Sequence, residues 1–115
     1  MAPVAAYEET FAMLARRNVY ASARAMMIAQ YHMPRHVATM RILAEKVFGV
    51  PNHSIANRVY GSFASRVRRE MGVSQPKFEI WVLGTWPEKP IDEVGEFAFR
   101  LRPEVCRALE RLGWV

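Results

Sequence analysis

The first part of the chain carries its apolar residues at helical spacing. A helix over residues 7–17 is predicted because apolar side chains recur at i, i+4 and i+7, at Tyr7, Phe11 and Leu14. A second helix over residues 21–33 is predicted from its many alanines and methionines, which favour helix. This helix should end near Met33, because Pro34 disfavours helical backbone in the residue before it.

A third helix is predicted over Met40–Phe48. Thr39 is suited to accept a backbone hydrogen bond at its start. Gly49 is suited to end it, and Pro51 comes two residues later. Its inward-facing residues should include Ile42, Leu43 and Val47.

A long fourth helix is predicted after this turn, over residues 53–71. Asn52 or Ser54 can cap its first turn, and Gly72 can end it after Met71. Leu43 to Val50, followed by Ile55, resembles a helix–turn–helix. The usual spacing puts a small residue four before the turn glycine. Here Ala44 lies five before it, so the first helix or the turn holds one extra residue.

The hydrophobic pattern then changes to a period of two. Apolar residues alternate first at Phe78, Ile80 and Val82, and again at Phe97, Phe99 and Leu101. Two strands joined by a loop over residues 86–94 predict an antiparallel β-hairpin. Pro103 then suits the first turn of a last helix that ends at Gly113.

This order of elements predicts an α+β fold. Helices are followed by an antiparallel β-hairpin and a C-terminal helix, which is the order of a winged helix–turn–helix domain. Residues 1–34 would form an N-terminal helical extension, and residues 35–115 the winged domain, together making one compact unit.

Charge is distributed unevenly along the 115 residues. The formal net charge is +5, from 16 Lys and Arg against 11 Asp and Glu. Residues 11–78 hold eleven of these bases but only two acids, Glu45 and Glu70, whereas residues 79–115 hold more acids than bases. This asymmetry favours a surface that binds a polyanion. Thirteen of the sixteen bases are arginines. A preference for arginine over lysine can also result from a GC-rich genome, without any role in binding.

The predicted helix over 53–71 separates its side chains into two faces at about 100° per residue. One face is apolar, and the other holds small hydroxyls and arginines without an acid, because Glu70 lies off it. Hydroxyls and guanidinium groups donate to phosphate oxygens, and arginine also binds guanine bidentately. The alternative is an ordinary solvated helix face. The predicted DNA-binding residues are Arg35, Arg41, Lys46, His53, Ser54, Asn57, Arg58, Ser62, Ser65, Arg66, Arg68 and Arg69.

The second half also holds aromatic and acidic candidates. Tyr60, Trp81 and Trp86 are candidates for stacking on an extruded base, and the alternative is that they belong to the core. The loop over 86–94 carries more acid than base, so phosphate would repel it and a protein partner would suit it better.

No residue pattern predicts catalysis. The single cysteine, Cys106, lies among apolar neighbours and is expected in the core. His32 and His36 have the spacing of a metal pair, but Pro34 interrupts the helix between them. We therefore expect no enzyme activity, no cofactor and no metal. The sequence shows no signal peptide and no apolar run of bilayer length, so a cytoplasmic protein without membrane association is expected.

Two short motifs resemble a domain found upstream of the nuclease in bacterial HNH-type restriction endonucleases and in related stand-alone proteins. The first combines Thr39-x-x-x-Leu43-Ala44 with Asn57-x-x-Tyr60-Gly61-x-Phe63-Ala64. The second runs from Leu101-Arg102-Pro103-Glu104-Val105 to Leu112-Gly113-Trp114-Val115. The resemblance covers about residues 35–115 and implies DNA recognition, while the chain holds no HNH motif.

These observations leave three functions open. The first is a module that binds double-stranded DNA, as part of a restriction-type or regulatory protein. The second is a small protein-binding module, such as a phage or plasmid inhibitor of a host defence complex. The third is a reader of modified bases that uses Trp81 and Trp86. A homodimer is compatible with each of them, and would be required for symmetric half-site recognition of DNA.

Overall fold

A computed structural model describes residues 2–91 and 95–115. Within these residues the fold is α+β, with five α-helices and one small three-stranded antiparallel sheet. The helices are α1 (Val4–Leu14), α2 (Ala21–Tyr31), α3 (Met40–Phe48), α4 (His53–Met71) and α5 (Pro103–Arg111). The strands are β1 (Val37–Thr39), β2 (Gly84–Thr85) and β3 (Ala98–Leu101), and short 3₁₀ turns cover Asn18–Tyr20, Pro34–His36 and Glu79–Val82.

The predicted capping residues of α3 and α4 are confirmed. The Thr39 hydroxyl accepts a hydrogen bond from the Ile42 amide at 3.2 Å, and Gly49 ends α3 in the left-handed region at φ 79°. The side chain of Asn52, rather than that of Ser54, caps α4 by accepting from two backbone amides. A side-chain cap of this kind contributes about 1 kcal/mol.

The sheet differs from the predicted hairpin. Residues Glu79–Val82 form a 3₁₀ turn rather than a strand, and only Gly84 and Thr85 pair with β3. On its other side β3 pairs with β1, which the sequence pattern did not predict. The strand order is therefore β1-β3-β2. The predicted strand over 97–101 is confirmed from Ala98 onward.

The turn at Glu79–Val82 is held by distant side chains. The Tyr7 hydroxyl donates a 2.6 Å hydrogen bond to the Val82 carbonyl, and Arg102 Nε donates to the Trp81 carbonyl at 2.7 Å. Burial raises the pKa of Tyr7 to about 12. These bonds satisfy carbonyls that a strand would have paired in a ladder, which explains why the alternating pattern did not produce one.

The N-terminal segment belongs to the same core as the rest of the chain. Tyr7, Phe11 and Leu14 of α1 are fully or almost fully buried and lie in one hydrophobic cluster with residues of α4 and α5. The Phe11 ring lies 6.0 Å from that of Phe63 and 6.3 Å from that of Trp114. Residues 1–34 therefore contribute to the core that supports α4.

A buried polar network joins α2, α4 and β3. Gln30 is completely buried, and its amide nitrogen donates to the Phe99 carbonyl at 3.0 Å. Its amide oxygen accepts from the Tyr60 hydroxyl at 2.9 Å. Because a buried polar group without a partner is costly, this network specifies how the two helices and the strand meet.

Candidate nucleic-acid interface

Helix α4 presents a continuous outward face. It runs without a break over 19 residues, from His53 to Met71. Its buried residues, which include Ala56, Phe63 and Val67, all lie on one side. The exposed side carries Ser54, Arg58, Ser62 and Arg69, and Ser65 is half-buried between them. The sequence prediction of an amphipathic helix with a basic outer face is therefore matched by the structure.

Arg58 and Arg69 are the two most available cations of this face. Both are exposed, and neither has a carboxylate partner among the residues that the structure describes. They lie about 20° apart around the helix axis, at 100° per residue, so they point to the same side. Small serine side chains between them allow a polyanion to approach the helix backbone closely.

Arg66 and Arg68, both predicted to bind DNA, form ion pairs with carboxylates of this chain. Arg66 Nη2 lies 2.6 Å from Glu70 Oε1, one helical turn away. Arg68 Nε donates to Glu79 Oε2 at 3.0 Å, and its side chain is only 19% exposed. Arg66 thus pairs within α4, whereas Arg68 links α4 to the Glu79–Val82 turn. The cationic face is thus narrower than the sequence indicated.

The flanking bases lie on neighbouring elements. Lys46, in the last turn of α3, and His53, in the first turn of α4, are both exposed beside the turn that joins these helices. Arg41 lies 3.8 Å from Glu96. Arg35 is 77% exposed, lies 3.8 Å from Glu88 and has a left-handed backbone at φ 57°, which is uncommon for arginine.

An open apolar cavity lies beside α4, and we call it the aromatic cleft. Its volume is about 310 Å³. The Trp81 ring centroid lies 4.7 Å from that of Trp86 and 6.1 Å from that of Phe78, and Phe97 lies 5.7 Å from Trp86. Three of these rings are at least half exposed, Phe78 at 52%, Trp86 at 50% and Phe97 at 65%. The residues that line it include Asn57, Phe78, Ile80, Trp81, Trp86 and Phe97.

Tyr60 does not belong to this cleft, which overturns its prediction as a stacking residue. Its side chain is fully buried, its hydroxyl is bonded to Gln30, and its ring packs 5.8 Å from that of Phe99. Burial raises the pKa of the Tyr60 hydroxyl well above its usual value. Phe78 and Phe97, by contrast, line the cleft without having been predicted to do so. The sequence signal that could have identified Phe78 and Phe97 is the presence of bulky apolar side chains near a polar loop that contains prolines.

The acidic loop is described only in part. Asp92 and Glu93, on which its predicted role in binding a protein partner depends, lie outside the described residues. Glu88 Oε2 lies 2.9 Å from Arg100 Nη2 and 3.8 Å from Arg35 Nη1. A hydrogen bond from its own backbone, followed by that from Arg100, lowers the pKa of the Glu88 carboxyl. Its charge is therefore balanced by cations of this chain.

Cys106 is a buried free thiol, as the sequence predicted. Burial raises its pKa to about 11. We expect a maleimide to label the native chain at about pH 8 at least ~100-fold more slowly than the chain unfolded in guanidinium chloride. Timed labelling followed by mass spectrometry measures this ratio. Equal rates would show that α5 opens readily in the native state.

In the part of the chain that the structure describes, no three His, Cys, Asp or Glu side chains gather as metal ligands would. His36 Nδ1 instead lies 2.6 Å from the Tyr31 carbonyl. None of the described helices combines the length and the apolar character needed to cross a membrane.

The chain has no significant match among protein-family models, curated proteins or solved structures.

Proposed function

We propose that this chain is a DNA-binding module that contacts duplex DNA through the exposed face of α4. The observation that carries the proposal is the pair Arg58 and Arg69, which lie on one side of an unbroken helix without a carboxylate partner among the described residues. Arginines and serines in such an arrangement can donate hydrogen bonds to a row of phosphate oxygens or to base edges in the major groove.

The surrounding elements support a winged helix–turn–helix arrangement for this module. Helices α3 and α4 are joined by a four-residue turn that begins at Gly49, and α4 would be the recognition helix. Strand β1 precedes these two helices, and β2 and β3 follow them in one sheet. The motif resemblance to the recognition domain of HNH-type restriction proteins is a separate, sequence-based reason to propose DNA recognition. In that case Lys46 and His53 would contact the DNA backbone beside the turn.

The salt dependence of binding tests this proposal. Each phosphate contact lowers log K by about 0.9 per log unit of salt. About three contacts therefore predict a loss of affinity of roughly 100-fold between about 50 and 300 mM salt. Fluorescence anisotropy with a labelled duplex measures this directly. Polyglutamate of similar charge is the control polyanion, since it lacks both grooves and phosphates.

A salt-independent affinity for DNA would contradict the proposal. So would equal competition by polyglutamate, because that result would assign the cationic face to an acidic protein partner, the second function that the sequence left open.

A further inference from the structure

The rings of the aromatic cleft are not stacked flat on one another. Its three ring pairs meet at interplanar angles of 75°, 60° and 53°, so none of these rings is stacked flat on another. With Phe78, Trp86 and Phe97 half or more exposed, the cleft offers flat apolar surface to solvent. Exposed aromatic surface that lines a cavity is a candidate binding surface. At about 310 Å³ the cavity is at the small end of the range for sites that hold small molecules, about 300–1,000 Å³.

The polar group of the cleft comes from the helix that carries the cationic face. Asn57 is exposed and lines the cavity, and its side-chain amide makes no hydrogen bond with a described residue. Around the helix axis Asn57 lies about 100° from its neighbour Arg58. The cleft therefore opens along one flank of the cationic face. Lys77 Nζ lies 5.7 Å from the Phe78 ring centroid.

This combination matches the chemistry of a nucleobase in a nucleic acid. A base is a flat heterocycle that stacks on aromatic rings, has donors and acceptors only at its edge, and is attached to a phosphate backbone. The cleft supplies the rings, Asn57 supplies one amide, and Lys77 supplies a cation beside the Phe78 ring. Arg58, the next residue of α4, belongs to the cationic face. An apolar peptide would use the rings, but it would gain nothing from the flanking cations.

We infer that the aromatic cleft receives one unstacked nucleobase of the DNA that α4 binds. Trp86 and Phe97 would stack on the base, and the Asn57 amide would bond to its edge. Adenine fits this amide best, because the amide donor and acceptor match N7 and the amino group of adenine. The inference rests on the proposed DNA-binding function and adds a base-specific site to it.

Three matched duplexes test this inference with the full chain. The first has a single unpaired adenine, the second has an abasic residue at the same unpaired position, and the third is fully paired. We expect the unpaired adenine to strengthen binding about tenfold over the abasic duplex, since one base–aromatic stack has about this effect. The abasic duplex is as easily bent as the first, so it removes DNA flexibility as an explanation.

Substitutions at Trp86 provide a second, independent test of the inference. Trp86 is half exposed, so its truncation should leave the fold intact. Trp86→Ala should abolish the preference for the unpaired adenine while leaving the affinity for the paired duplex unchanged. Trp86→Phe keeps a ring and should retain most of the preference. An unpaired 2-aminopurine should lose fluorescence on binding the native chain, and not on binding the Trp86→Ala variant.

Each other outcome overturns the inference. If the paired duplex binds but the unpaired adenine brings no gain over the abasic residue, the cleft does not hold a base and the proposed function stands. If no DNA binds, both fail. If Trp86→Ala keeps the preference, the base is bound elsewhere. If sedimentation shows a dimer that Trp86→Ala dissociates, a second copy of the chain covers the cleft.

Discussion

Reversing the charge of both Arg58 and Arg69 is expected to weaken binding to duplex DNA by roughly 100- to 1,000-fold at low salt. If α4 binds DNA as proposed, each substitution to Glu removes a phosphate contact and places a carboxylate where the DNA backbone would lie. The slope of log K against log salt should fall by about 2, since each of the two arginines accounts for about one unit of it. Anisotropy titrations of the Arg58→Glu, Arg69→Glu double variant at several salt concentrations measure both quantities.

The matched control reverses two arginines outside the cationic face. Arg16, in the turn after α1, and Arg107, on α5, are exposed and have no ion-pair partner among the described residues. The Arg16→Glu, Arg107→Glu variant has the same net charge as the test variant. Its affinity should fall far less, because only the long-range field changes. An equal fall in the two variants would show that binding follows net charge, and would remove α4 from the interface.

The fold of the test variant should be unaffected. Arg58 and Arg69 are exposed and lie opposite the apolar side of α4, so neither side chain packs into the core. Substitutions at such positions usually change the free energy of unfolding by less than about 0.5 kcal/mol. Arg68→Ala should behave differently, since Arg68 holds Glu79. Loss of DNA binding by that variant alone would therefore not identify a contact.

Replacing Gln30 by Leu is expected to lower the free energy of unfolding by about 2–6 kcal/mol. The substitution keeps most of the side-chain volume but leaves the Tyr60 hydroxyl and the Phe99 carbonyl without their hydrogen bonds to the Gln30 amide. Each polar group that is buried without a partner costs about 1–3 kcal/mol. Urea unfolding followed by tryptophan fluorescence measures the change.

A double-mutant cycle separates this network from a loss of packing. Tyr60→Phe alone should cost less than Gln30→Leu, because it removes one hydroxyl from the network. The Gln30→Leu, Tyr60→Phe variant should be more stable than the sum of the two single effects predicts, since no unpaired hydroxyl remains. Strict additivity would show that the 2.9 Å bond between Tyr60 and Gln30 contributes nothing to stability.

Local signals were enough to place α3, α4 and α5. Thr39, Asn52 and Pro103 start these helices, and glycines lie at or just beyond their ends. Capping residues and prolines act within one helical turn, so a few neighbouring residues are enough to predict where each of these helices starts. The first helix was displaced by three residues, because α1 starts directly after Pro3 without a side-chain cap.

Contacts between distant residues determined the rest. The alternating segment at 78–82 became a turn because Tyr7 and Arg102 bond to its carbonyls. Strand β1 has three residues, too few to show a period, and exists because β3 pairs with it. In the same way Glu79 neutralises Arg68, whereas Arg58 and Arg69 keep their charges exposed. The residue pattern thus specified the helices and their amphipathic faces, since these depend on neighbours along the chain. The aromatic cleft and the limits of the cationic face depend on contacts between side chains that are distant in sequence. Local periodicity cannot predict such contacts.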